Sequence, residues 1–93
     1  MVIGIVTATL SIPSAHSLKE KRSVVRSVKD RAMNTMNVSV AEVGGQDTWQ
    51  RAEMAFVTVA ANSTIVQKRV SDIDKFLRSN PRYVLSDLRT EML

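Results

Sequence analysis

The chain has 93 residues, with 13 Lys and Arg against 9 Asp and Glu, a formal net charge of +4 and no cysteine. That length holds one domain, and the missing thiols exclude disulfide scaffolds, thiolate nucleophiles, iron–sulfur clusters and cysteine zinc sites. A hydrophobic fraction of 44% and a charged fraction of 24% are ordinary for a globular protein and count against disorder.

Residues 2–12 read Val-Ile-Gly-Ile-Val-Thr-Ala-Thr-Leu-Ser-Ile, a β-branched run stopped by Pro13. Val2, Val6, Ala8, Leu10 and Ile12 share one face and form the better core candidate; Ile3, Ile5, Thr7, Thr9 and Ser11 share the other. Ser17-Leu18-Lys19-Glu20 is a capping-box pattern, in which Ser17 accepts from the Glu20 backbone and Glu20 reaches back. Leu18, Val25, Val28 and Ala32 then recur at helical spacing, with Val24 widening the stripe, and predict a helix over 17–36. A second strand is expected at 37–44 and a third at 51–61, joined by the turn chemistry of Gly44-Gly45-Gln46-Asp47 as a hairpin. Asn62-Ser63-Thr64 offers caps for a second helix over 63–79, with Val66, Val70, Ile73 and Leu77 as its stripe and Asn80-Pro81 as its stop. Val84, Leu85 and Leu88 suit a fourth strand within 83–93.

The order β-α-β-β-α-β predicts an α+β, ferredoxin-like sandwich in one domain, residues 1–93. Four strands make an antiparallel sheet, and both helices cover one face because each has a single apolar stripe. The other sheet face is left to solvent or to a partner. Ile3 and Ile5 on that face are interface candidates, and a homodimer or another protein covering them is the second functional reading.

Charge placement motivates the first. Between Ser17 and Met36 lie Lys19, Lys21, Arg22, Arg26, Lys29 and Arg31 against Glu20 and Asp30; the rest of the chain balances at seven of each sign. Lys19, Arg22, Arg26 and Lys29, spaced three, four and three apart, form one stripe on a helix flank. Such a stripe suits the phosphates of a nucleic-acid backbone, with Arg51 and His16 as additions. The bland alternative is a solvated flank whose stems cover the core. Base stacking of the RNA-recognition-motif type is not expected, because the only aromatics are Trp49, Phe56, Phe76 and Tyr83 and the first strand has none.

Enzyme signals are thin. His16 is the sole histidine, with Ser14, Ser17 and Asp47 as its only neighbours of hydrolytic type, so no catalytic residue is assigned. Glu42, Asp47 and Glu53 cluster around the hairpin, where solvated acids are the favoured reading over a metal site. No glycine loop opens a helix to cradle phosphate, and no cofactor is expected. No apolar run nears the roughly 20 residues that span a bilayer. The opening residues lack the positive region of a signal peptide, so the expectation is a cytoplasmic protein without a membrane partner. Trp49, beside the turn, is read first as a cap on the end of the core and second as an interaction anchor.

Three strings carry a resemblance: His16-Ser17-Leu18-Lys19-Glu20-Lys21-Arg22, Asn37-Val38-Ser39-Val40-Ala41-Glu42-Val43 and Asp47-Thr48-Trp49-Gln50-Arg51-Ala52. Together they resemble the bacterial YlxP-like family, over essentially the whole chain. The resemblance implies a small ferredoxin-like protein of undefined function, with genes often placed among those for translation initiation and ribosome maturation. It therefore implies a ribosome-associated role, and it supplies no functional residues to carry over. Gly44-Gly45 departs from the acidic or small polar residue expected ahead of Gln46-Asp47, which bears on the turn geometry.

Overall fold

The computed structural model describes residues 1–93. Strand β1 (Val2–Ser11) leads to helix α1 (Leu18–Thr35), strands β2 (Ser39–Gly44) and β3 (Arg51–Ala60), helix α2 (Ser63–Arg78) and strand β4 (Val84–Met92). The sheet order is β2-β3-β1-β4 and every neighbouring pair is antiparallel, so the fold is the ferredoxin-like α+β arrangement.

Strand parity decides where the core lies. Val6, Ala8, Leu10 and Ile12 are buried, as are Ala52, Met54 and Phe56 on β3, and all of them pack in one cluster with Val24, Val25, Val28 and Ala32 of α1 and Ile73 and Leu77 of α2. Each helix begins as its sequence directs. Ser17 accepts a bond from the Glu20 N–H at 3.1 Å, while the Glu20 carboxylate takes the His16 N–H at 2.7 Å. Asn62 caps α2 by accepting from the Ile65 N–H at 3.0 Å. Gly4 lets α2 lie close, since a Cβ there would stand 2.6 Å from Val66 Cγ1.

Two polar ties hold the helix layer to its neighbours. The buried Thr58 hydroxyl donates to Asn37 O at 2.9 Å and accepts from Arg69 Nη1 at 3.1 Å. The Tyr83 hydroxyl donates to Leu77 O at 2.6 Å in the last turn of α2. Burial pushes the Tyr83 phenol above its ordinary value, with the Arg31 charge opposing the rise.

The outer sheet face carries a gradient. Register places Val59 beside Ile3, Val57 beside Ile5 and Ala55 beside Thr7, then Glu53 beside Thr9 and Arg51 beside Ser11. Leu93 pairs with Ile3 through both backbone hydrogen bonds, and Glu91, Arg89 and Asp87 follow along β4. One end is apolar and the other polar. No aromatic side chain stands on this face: Phe56 lies opposite Val6, on the helix side, and is fully buried.

Candidate functional site

Lys19, Arg22, Arg26 and Lys29 are all exposed on α1. Their ten-residue spread covers about 15 Å of helix. Arg22 and Arg26 form the crest between two open hollows. One, of about 510 Å³, is lined by Lys19, Ser23, Ser27 and Asp30 beside the two arginines. The other, of about 400 Å³, adds Val25, Lys29 and Glu42. Asp30 is thus the one free carboxylate set into the basic flank.

Five of the nine cations outside the stripe are held in ion pairs. Ion pairs join Lys21 to Glu42, Arg51 to Glu53, Lys68 to Asp72, Arg78 to Asp74 and Arg89 to Asp87. None of the four stripe cations has a carboxylate oxygen within 4.0 Å. The local field is therefore positive, with Asp30 and the partly exposed, Lys21-paired Glu42 as the carboxylates beside it.

Lys21 departs from the rest of the basic segment. It is fully buried, its ammonium 2.9 Å from Glu42 Oε2 and donating to the carbonyl of Gly45. Glu42 Oε2 is shut off from water and has no other polar partner. So one of the six basic residues between Ser17 and Met36 contributes nothing to the surface. The Gly44-Gly45 departure acquires a reason here. Gly45 takes a φ of +76°, which glycine adopts without strain, and its carbonyl accepts from both Lys21 and the Thr48 N–H.

The other candidates scatter. His16 is exposed at the N-terminal end of the stripe, and no hydrogen bond joins its imidazole to Ser14, Ser17 or Asp47. Arg51 stands across the sheet from the stripe, on the outer face, in a pair with Glu53. Ile3 and Ile5 are half-buried on that outer face, as their parity predicts. Glu42 and Glu53 take opposite faces, and no three acidic or histidine side chains gather to hold a metal ion.

Trp49 corrects the favoured sequence reading, because it is 53% exposed and does not cap the core. Ile12 and Ala15 close that end instead, tied down where Gln50 Nε2 donates to Pro13 O and Ala15 O, both at 3.2 Å. Arg82 is a cation that sequence reasoning passed over. It shares a hollow with Glu20 and Ser23 at the N-terminal end of α1, next to Lys19's end of the flank. Its distance along the chain left no local signal.

Comparison with known proteins gives the chain a family. A relative described as "Uncharacterized protein YlxP", from Bacillus subtilis (strain 168), is 36% identical over 90 residues, covering 97% of this chain and 98% of that protein. The family described as "Protein of unknown function (DUF503)" matches residues 3–90. No helix is long and apolar enough to cross a membrane. By the family match and the near full-length identity together, the chain belongs to the DUF503 family, of which the Bacillus YlxP protein is a similar relative.

Proposed function

We propose that this protein is a non-enzymatic RNA-binding module that grips the sugar–phosphate backbone with the outer flank of α1. The observation that carries this reading is the row of four exposed cations, Lys19, Arg22, Arg26 and Lys29, on one helix flank, none of them ion-paired, while five of the chain's other nine cations are held in ion pairs. Contacts of this kind release counterions and give affinity with little sequence selectivity. An outer sheet face without aromatics supports backbone contact over base stacking. Arg82 and His16 extend the surface at the Lys19 end, and the resemblance to ribosome-associated gene neighbourhoods makes ribosomal RNA the first ligand to try.

Fluorescence anisotropy with a structured ribosomal RNA fragment across a salt series tests this. Four phosphate contacts give a log–log slope of about −3 on single-stranded segments and about −4 on duplex ones. The Arg22→Glu/Arg26→Glu variant should lose binding while its thermal midpoint stays near that of the parent, since both side chains are exposed. Binding that survives the reversal, or no binding at low salt, refutes the reading and leaves the flank a solvated surface.

A further inference from the structure

We propose that the outer sheet face is the interface of a homodimer, in which a second copy packs face to face about a two-fold axis running along the strands between β1 and β3. This surface lies on the side of the sheet away from α1, so the inference is independent of the RNA reading.

The gradient along the face selects the partner and the axis. In an isologous contact the same patch meets itself, so the face must be complementary to its own image. An in-plane axis across the strands would lay the Val59 end of one copy on the Arg51 end of the other, burying charge against hydrocarbon. An axis along the strands exchanges columns and keeps rows. Ile3 then faces Val59 of the second copy, Ile5 faces Val57, and Thr7 faces Ala55. The charged β4 column falls over β2, where Ser39 and Ala41 are small, so no like charges are superposed. Both copies run their strands in the same direction, at the small crossing angle that aligned sheets adopt.

The area is sufficient for a modest dimer. Four strands about 4.8 Å apart and about nine residues long present roughly 570 Å² per copy, or about 1,100 Å² in all. That falls just below the range of stable specific interfaces, in the weak class, and a concentration-dependent equilibrium is expected. The exposed apolar residues at one end, Val59 at 50% and Leu93 at 64%, lose their contact with water in it.

Sedimentation equilibrium from about 1 µM to about 1 mM measures the association. The parent chain should pass from one chain mass to two. Ile5→Lys and Val57→Glu, each alone, should weaken the dimer on the order of 100-fold or more, because each buries an unpaired charge. Mixing the two variants should restore a dimer, since the introduced ammonium of one chain then faces the introduced carboxylate of the other. Ile65→Lys, on α2, should leave the dimer unchanged. Should Ile5→Lys unfold the chain, Thr7→Lys mixed with Ala55→Glu, one row along, makes the same exchange. A parent chain that stays monomeric, a dimer untouched by the face variants or lost with Ile65→Lys, or a mixture that fails to associate overturns the proposal.

Discussion

Removing the ammonium of Lys21 should be among the most damaging single changes to this fold. Lys21→Met matches the lysine stem in length as far as the nitrogen, with sulfur in place of Cδ, so the stem's packing is largely kept and the ammonium, with its charge and donors, is lost. Glu42 is then left with Oε2 out of water and no cation, and the Gly45 carbonyl loses one of its two donors. Breaking a buried pair from one side costs about 3–5 kcal/mol. The Glu42 side chain keeps 20% exposure, and the hydration this allows puts the loss near the lower figure, about 3 kcal/mol. Total stability for this length is roughly 5–14 kcal/mol. The thermal midpoint should fall by about 12–24 °C, at roughly 4–8 °C per kcal/mol. Lys21→Met/Glu42→Leu strands no charge and should return to within about 1 kcal/mol of the parent. Urea titrations followed by far-ultraviolet circular dichroism give all the free energies. A loss below about 1 kcal/mol for the single variant, or a double variant no more stable than the single one, would refute the reasoning.

Two further changes probe the helix layer. Gly4→Ala drives a methyl to 2.6 Å from Val66 Cγ1 and should cost about 1–3 kcal/mol in the same titration; an unchanged urea midpoint would show that α2 can shift freely. Tyr83→Phe deletes the bond to Leu77 O and should cost about 1 kcal/mol at neutral pH. Because burial raises the Tyr83 phenol above its ordinary 10.0, its neutral form is the one that the fold favours. That contribution is fully present below pH 10 and is lost as pH rises through the folded-state value. The stability gap between parent and Tyr83→Phe should therefore narrow above pH 10; a gap independent of pH would contradict it.

Much of the architecture was legible because each signal was local. The parity of β1 separated Val6, Ala8 and Leu10 from Ile3 and Ile5, and the Ser17 cap formed, with the Glu20 carboxylate reaching back one residue further, to the His16 N–H. The four-residue stripe on α1 likewise needed only helical periodicity, and all four side chains reach solvent. Long-range features were hidden. Lys21 sits three residues after Leu18 and four before Val25, on the apolar stripe itself, and a basic residue at that position was the available sign of a buried partner. The partner stayed out of reach because it lies on another element: β2 parity puts Glu42 on the core face with Val40, but does not say which cation it meets there. Trp49 was misjudged for a related reason: its place depends on Gln50 sealing the core end, a contact across 35 residues or more.

The buried pair also governs how β2 can align. This edge strand is six residues long, and Val40 is its one buried side chain, so apart from Val40 its side chains give little preference for one alignment. Sliding it by one residue would turn Glu42 to the outer face and leave Lys21 sealed in the core with no counter-charge, a penalty of several kcal/mol. An ion pair that adds little to net stability thus acts as a pin, allowing one alignment of the hairpin and making its nearest misfolded alternative costly.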